Sequence, residues 1–329
     1  MSRTLIEVRN VVKEFEVRGG IFGKKRYVRA VDNVSFSIEE GTIVALVGES
    51  GCGKSTLGRL ILGILKPTSG QVLFRGKDIW SLSGSEFKEF RRNAQIIHQD
   101  PYDTLNPMRT IYQSLSPPLL HYKIARNRKE SWKKAAELLE MVGLVPPDDF
   151  LQRYPARLSG GQMQRIAIAR AISVNPSFIV ADEAVSMLDA SLRIEILDLL
   201  LDLKRKLDMA CLFITHDFGV ARYFARDGKI LVMYLGSIVE VGDTEDVILD
   251  PIHPYTKILL DCVPVPDPKI ARSKGVPPLR SLEVPSLTNV PPGCKFHTRC
   301  PYKRKECEVI EPDLINFGND HFVRCHNLR

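Results

Sequence analysis

Nine consecutive residues, Gly48-Glu-Ser-Gly-Cys-Gly-Lys-Ser-Thr56, fit the spacing G-x-x-x-x-G-K-[ST], with Gly48, Gly53, Lys54 and Ser55 at the fixed positions. Phosphate oxygens need several backbone N–H donors converging on them, and a glycine-rich loop lets the backbone come that close. A helix starting at the end of the loop adds its positive dipole end to the same anion site. In such a loop Lys54 neutralises β/γ-phosphate charge and Ser55 ligates Mg2+. Glu49, Ser50, Gly51, Cys52 and Thr56 complete the cradle. A second chemical group closes Phe178-Ile-Val-Ala-Asp-Glu183. Two carboxylates at the exit of an apolar strand are costly unless they meet cations or catalyse. Asp182 suits the Mg2+ shell, and Glu183 suits polarising an attacking water. Alone, this pair reads as an acidic helix start. Beside the loop it reads as the other half of a nucleotide site.

The elements that must position these groups alternate between strand and helix. Ile43–Val47, Gln95–His98, Phe178–Ala181 and Ala210–Ile214 are short apolar runs of the kind found in a parallel sheet covered on both faces. Leu192–Leu207 carries an apolar stripe of Leu197, Leu200, Leu201 and Leu203 at helical spacing. The alternation predicts an α/β doubly wound core. Between about 107 and 155 strand runs vanish. Arg128–Met141 reads as a helix, with Lys134, Ala135, Leu138, Leu139 and Val142 at helical spacing. This predicts a helical insertion, extending to about 175. From Pro251 the prolines accumulate at 251, 254, 264, 266, 268, 277, 278, 285, 291, 292, 301 and 312, which disfavours long helices. The expected division is therefore a nucleotide-type α/β domain over 1–250 and a small, Pro-rich C-terminal module over 251–329. No internal repeat is visible, so the chain carries one such core.

Composition sets the class. Of 329 residues, 26% are charged and 44% hydrophobic, an ordinary globular mix that excludes collagen, mucin and disordered tails. No run of about 18 apolar residues spans a membrane, and the first residues lack the apolar core of a secretory signal. The net charge of +7 permits an anionic partner, but its charges are scattered; the basic clusters at 23–26 and 303–305 are short. Cys52, Cys211 and Cys262 stand alone, whereas Cys294, Cys300, Cys307 and Cys325 are separated by 5, 6 and 17 residues near the end. In a cytosolic chain such clustering points to metal before disulfide. Four thiolates can hold zinc or an iron–sulfur cluster. Zinc sites usually show close C-x2–4-C pairs, and none occurs here. His297, His321 and His326 are nearby alternative zinc ligands.

Leu158-Ser-Gly-Gly-Gln162 adds a third motif. Ser159 is placed to cap a helix whose N–H groups, exposed by Gly160 and Gly161, form a second anion site. With the phosphate loop and the Asp182–Glu183 pair, this stretch resembles the signature sequence of the ABC-type ATPases, the nucleotide-binding subunits of ABC transporters. The resemblance implies an ABC-type P-loop ATPase with ATP and Mg2+ as cofactors. It implies that Ser159, Gly160, Gly161 and Gln162 face ATP held by a partner subunit, two nucleotides being sandwiched in a head-to-tail dimer. Gln99 resembles the glutamine that reaches Mg2+ and water, so that Mg2+ is assigned to Ser55, Gln99 and Asp182. Ser186-Met-Leu-Asp189 resembles the loop that signals across the dimer. His216 resembles the histidine at the γ-phosphate, joining Glu183 and Gln99 as catalytic residues. Phe15 is a candidate for stacking on adenine, with Tyr27 a rival; either also reads as core. The family commonly has proline after the glutamate, where this chain has Ala184; that position is not a phosphate contact.

Gln99-Asp-Pro-Tyr-Asp-Thr-Leu-Asn-Pro107, His253-Pro-Tyr255, Leu259-Leu-Asp-Cys-Val-Pro-Val-Pro-Asp-Pro268 and Gly293-Cys-Lys-Phe-His-Thr-Arg-Cys-Pro301 resemble the oligopeptide/dipeptide importer ATPases, on the side of their second, "F" member. That resemblance implies a heterodimer with a second ATPase, two transmembrane permeases, an extracytoplasmic solute-binding protein and a place on the cytoplasmic face of the membrane. Residues 100–125 become the docking surface for the permeases, and no nucleic acid is expected. It also implies a 4Fe–4S cluster on Cys294, Cys300, Cys307 and Cys325, ahead of zinc. As a staple for a module with little core, its removal is expected to loosen residues after 251 and leave ATP binding largely intact. The resemblance implies a di- or oligopeptide as the solute, with oligosaccharides and nickel as alternatives on the same machinery. A soluble ABC ATPase acting on DNA or ribosomes is the rival class, disfavoured by a single core and by the lack of sustained heptads.

Overall fold

The computed structural model describes residues 3–18, 25–263 and 278–327. The basic run at 23–26 is therefore described only from Lys25, and prolines 264, 266, 268 and 277 lie outside the described residues. The chain forms two compact units, each assembled from separated segments: Met1–Ile6, Ile38–Thr42 and Phe74–Ile214 in the first, Glu7–Ser37, Ile43–Leu73 and Thr215–Arg329 in the second.

In the first unit three strands form a parallel ladder. Phe178–Asp182, buried at every position, lies between Ala94–Ile97 and Ala210–Thr215. A strand covered on both faces must be apolar throughout, and Phe-Ile-Val-Ala is. The region without strand runs is helical: Ile111–His121, Arg128–Met141, Pro147–Leu151 and Gly160–Ile172. Local chemistry sets where each begins. Thr110 and Gln113 form a reciprocal capping box, and the Asn127 side chain accepts from the Glu130 amide at 2.9 Å. Arg128–Met141 buries Ser131, Ala135, Leu138 and Leu139. Lys134 lies off that face, 2.8 Å from Glu137. In the 18-residue helix Ala190–Leu207, Ile196, Leu197, Leu200 and Leu203 are buried, while Lys204, Arg205 and Lys206 complement the dipole in its last turn.

In the second unit Ile43–Val47 pairs parallel with Lys229–Tyr234, which turns antiparallel into Ser237–Asp243. The two turn residues, Leu235 and Gly236, both have positive φ (40° and 82°), as a tight hairpin between right-twisted strands requires. Beyond Ser237–Asp243 lie Phe322–Val323 and then Ile315–Asn316, so the chain's end adds two short strands to this sheet. A second sheet places Thr4–Arg18 between Lys25–Glu39 and Ser69–Phe74. These strands escape a search for short apolar runs because polar and apolar residues mix along them.

Residues after 250 share the core of this unit. Ala45, Val47, Ile230, Val232 and Tyr234 pack in one cluster with Tyr255, Ile258, Phe296 and Cys300. Among the described residues the Pro-rich segment holds an eight-residue α-helix, Pro254–Asp261, and a 3-10 turn, Glu306–Glu308. A buried carboxylate ties the pieces together. Glu240 accepts from the Ile252 and His253 amides at 2.7 and 3.1 Å and meets His321 Nε2 at 2.8 Å. A fully buried polar group persists only when its hydrogen-bonding partners are supplied in this way.

Candidate functional site

The phosphate-binding loop lies in the second unit. It leaves the buried strand Ile43–Val47 and enters the helix Lys54–Ile61. Gly48 has no room for a side chain, since a Cβ there would fall 2.2 Å from the Met233 carbonyl oxygen. Gly53 combines φ of 111° with a Cβ position 2.1 Å from the Ala30 oxygen. No side chain caps the helix that follows, which leaves its first amides to an anion. Lys54 is 4% exposed, and its ammonium donates to the Gly48 and Glu49 carbonyls at 2.7 and 2.9 Å. It is thus held at the mouth of the loop by the backbone it would share with a phosphate. The Cys52 thiol is buried and, through that burial, pushed up, an inert filler rather than a nucleophile.

In the first unit Phe178–Asp182 delivers Asp182, which is buried, and Glu183, which is half-buried. Glu183 has φ of 49°, a left-handed conformation unusual for a side-chain-bearing residue, and its amide donates to the Ile214 carbonyl at 3.0 Å. That turn swings its carboxylate to Gln99, whose Nε2 donates to Glu183 Oε2 at 3.1 Å. Two sequence-predicted catalytic residues, 84 positions apart, are therefore in contact. Ser159 caps Gly160–Ile172 in a capping box, its hydroxyl accepting from the Gln162 amide and its own amide donating to Gln162 Oε1 at 3.1 Å. A side chain at Gly160 would meet open space, whereas one at Gly161 would stand 3.3 Å from Leu192. Asp189 caps Ala190–Leu207, accepting from the Ser191 and Leu192 amides at 3.1 and 3.0 Å. Ala184 is buried.

His216 is exposed just past the strand Ala210–Thr215. Phe15 and Tyr27 are exposed at 36% and 59%, which removes the core reading for both. Lys13 Nζ lies 5.2 Å from the Phe15 ring centre.

The four C-terminal cysteines are free thiols; Cys300, Cys307 and Cys325 are buried and Cys294 half-buried. Burial pushes Cys294 up to about 12 and Cys300 up to about 11; Cys294 also feels the charge of the other three positions, and Cys300 that of Cys325 and Cys307. The donor set, four thiols, matches the chemistry of an iron–sulfur site. Among the described residues, however, no three His, Cys, Asp or Glu side chains converge as a closed metal shell. The alternative histidines are engaged elsewhere: His297 Nδ1 with the Cys294 carbonyl, His321 with Glu240, and His326 Nε2 with the Ile310 carbonyl.

Two residues at the phosphate loop are absent from the sequence reading. Tyr255 and Arg299 lie 206 and 250 positions from Glu49, yet both bond to it. Each falls inside a motif singled out on other grounds, but no local pattern connects either to the loop.

Residues 31–186 match the family model described as ABC transporter, and residues 239–307 the model described as oligopeptide/dipeptide transporter, C-terminal region. The oligopeptide transport ATP-binding protein AppF of Bacillus subtilis is 42% identical over 327 residues, 99% of this chain and 98% of that protein. The oligopeptide transport ATP-binding protein OppF of Salmonella typhimurium is 39% identical over 326 residues, 98% of this chain and 96% of that protein. Among solved structures, the dimer of MJ0796, a bacterial ABC transporter cassette, is 32% identical and covers 73% of this chain and 99% of that one, with a TM-score of 0.63. The chain therefore belongs to the ATP-binding proteins of ABC transporters, a family of ATPases, in the branch that carries the oligopeptide/dipeptide transporter C-terminal region. Among the described residues no helix is long and apolar enough to cross a membrane.

Proposed function

We propose that this chain hydrolyses ATP to power a membrane ABC importer for di- and oligopeptides. The observation that carries the reading is the phosphate loop, a glycine-walled turn with a buried lysine at its mouth and an uncapped helix behind it. In this proposal residues 48–56 hold the triphosphate and Lys54 balances its charge. Ser55, Gln99 and Asp182 take Mg2+, which supplies charge neutralisation on the phosphates. Glu183, oriented by Gln99, accepts the proton of the attacking water, and His216 faces the terminal phosphate. Ser159, Gly160, Gly161, Gln162 and Asp189 meet the nucleotide of a second, homologous ATPase. ATP binds the closed dimer better than the open one, and loss of the terminal phosphate removes that difference.

Residues 1–250 are assigned to the ATPase domain, with 107–175 its helical part, and 251–329 to the extension. The exposed Tyr102, Met108 and Leu120 support 100–125 as the surface that meets the two permeases, which places the chain at the cytoplasmic face of the membrane. Cys294, Cys300, Cys307 and Cys325 are assigned a 4Fe–4S cluster, supported by the chemistry of four thiols carried on one short C-terminal segment. Peptide as solute rests on the names of the relatives.

The test is to tag the protein in its own organism, solubilise the membranes mildly and identify the co-purifying chains by mass spectrometry. Two permeases and a second ATPase are expected. The accompanying solute-binding protein can then be screened against peptides, oligosaccharides and nickel. Recovery of ribosomal or DNA-associated proteins instead would replace the importer by a soluble ATPase.

A further inference from the structure

The phosphate loop is held from outside the nucleotide motifs. Glu49, its second residue, carries three separate attachments. The Glu49 amide donates to the Tyr255 hydroxyl at 3.0 Å. Its carboxylate accepts both terminal nitrogens of Arg299, Nη1 at 2.9 Å and Nη2 at 3.1 Å. Its carbonyl accepts the Lys54 ammonium at 2.9 Å. Tyr255 opens the helix Pro254–Asp261, and Arg299 stands between Phe296 and Cys300 in the cysteine-bearing segment. Neither side chain has freedom to wander. Tyr255 is 1% exposed and packs against Tyr234 and Phe296, with ring centres 4.6 and 5.4 Å away. Arg299 is 5% exposed, with its guanidinium 5.9 Å from the Tyr234 ring centre and 5.8 Å from that of Phe296.

We propose that Tyr255 and Arg299 are positioning residues of the phosphate-binding loop, so that the cysteine-bearing C-terminal segment sets nucleotide affinity through Glu49 and Lys54. A backbone amide has one proton, so the Glu49 amide, given to Tyr255, is withheld from phosphate, and the donors of the cradle begin beyond it. A two-pronged carboxylate–guanidinium contact fixes orientation as well as distance, which a single bond does not. Because Lys54 rests on the Glu49 carbonyl, the backbone that Arg299 and Tyr255 hold is the backbone that places the ammonium. Preorganising the loop lowers the ordering cost of binding, and that gain is the same for the ground and transition states. Its loss therefore raises KM and leaves kcat nearly unchanged. This inference rests on the nucleotide reading of the loop.

The experiment measures MgATP affinity by titration calorimetry and steady-state hydrolysis on the full chain, with amide hydrogen exchange over residues 48–54. The variants are Tyr255→Phe, Arg299→Gln, Arg299→Lys, Glu49→Gln and the Glu49→Gln/Arg299→Gln pair. Arg299→Gln is expected to weaken MgATP binding on the order of five- to fifty-fold, with faster exchange in the loop and kcat within about twofold. Arg299→Lys should recover part of the loss, since the charge remains and the fork does not. The pair should be no weaker than Arg299→Gln alone, because both changes remove one contact. Lys295→Gln is the control. It breaks the bonds of the same segment to Asp32 and Ser237, each at 2.6 Å, without touching Glu49, and should keep wild-type affinity. If the wild type fails to bind MgATP, the nucleotide reading itself fails. If the wild type binds and Tyr255→Phe and Arg299→Gln match it, or if Lys295→Gln weakens binding equally, the positioning role is overturned.

Discussion

Glu183, the proposed base, owes its contact with Gln99 to one backbone torsion. An extended continuation of Phe178–Asp182 would carry its side chain along the strand. The left-handed turn at φ of 49° instead brings the carboxylate to Gln99. Strain of about 1–3 kcal/mol at such a residue persists when surrounding bonds over-determine it, and here the Ile214 carbonyl and Ser186 hydroxyl supply them. Replacing the carboxylate by an amide keeps shape and hydrogen-bonding size but removes the proton acceptor. Glu183→Gln is expected to bind MgATP normally and to hydrolyse it roughly 100-fold more slowly or worse. Single-turnover hydrolysis alongside a binding isotherm checks this, and near-normal turnover would remove Glu183 from the base role. The acidic pair was legible in sequence because carboxylates at a buried strand's end are costly. The contact with Gln99 was not, because torsion and long-range pairing leave no local trace.

Helix entries are the next scale. Asp189 stops the loop after Leu188 and starts an 18-residue helix with two bonds to its first free amides. Asp189→Ala should cost about 1 kcal/mol, and Asp189→Asn or Asp189→Ser should restore most of it. Calorimetric melting of the full chain would show a fall of about 1–2 °C for the alanine variant. A drop of turnover in the asparagine variant without a drop of stability would separate a signalling role from the cap. The helix Pro254–Asp261 is capped differently. His253 Nδ1 accepts from the Tyr255 amide at 3.0 Å, which requires a bare ring nitrogen. Burial drives the His253 value down to about 4, against the opposing pull of Glu240 and of a bond with the Arg324 backbone. An unfolded histidine titrates near 6.5, so below that pH the unfolded chain binds a proton that the folded chain refuses. This stability is present in full above about 6.5 and drains as pH falls toward 4. Urea midpoints should show a loss on the order of 2 kcal/mol between pH 7 and pH 5 that His253→Asn abolishes. An unchanged slope in that variant would refute the assignment.

At the scale of the whole molecule, the C-terminal segment is part of a core as well as a carrier of cysteines. Phe296 and Cys300 pack in the same cluster as the strand that leads into the phosphate loop, and Arg299 reaches the loop itself. The expectation that metal removal leaves ATP binding intact follows only for a segment standing apart. The observed contacts predict the opposite. Anaerobically loaded protein should hold about four iron and four sulfide per chain if the cysteines carry the proposed cluster. Chelation should then speed proteolysis between 278 and 325 and weaken MgATP binding together. Loss of one without the other would break the link, and zinc in place of iron in protein purified from its own organism would replace the cluster.

The motifs for phosphate, Mg2+ and the dimer signature, the buried parallel strands and the helical region around Arg128–Met141 are local facts. Each depends on residue types at short, fixed separations, because loop geometry, strand period and helix period act over a few residues. Sequence alone therefore determined the class of chemistry and the family. Tertiary structure decided the rest. Lys134 left the buried face it shared by spacing, and Phe15 and Tyr27 came to the surface. The two compact units are each assembled from separated segments of the chain, which no local pattern marks. Glu49 found its partners at 255 and 299, because bringing distant side chains together depends on how sheets and cores close, and no run of neighbouring residues encodes that closure.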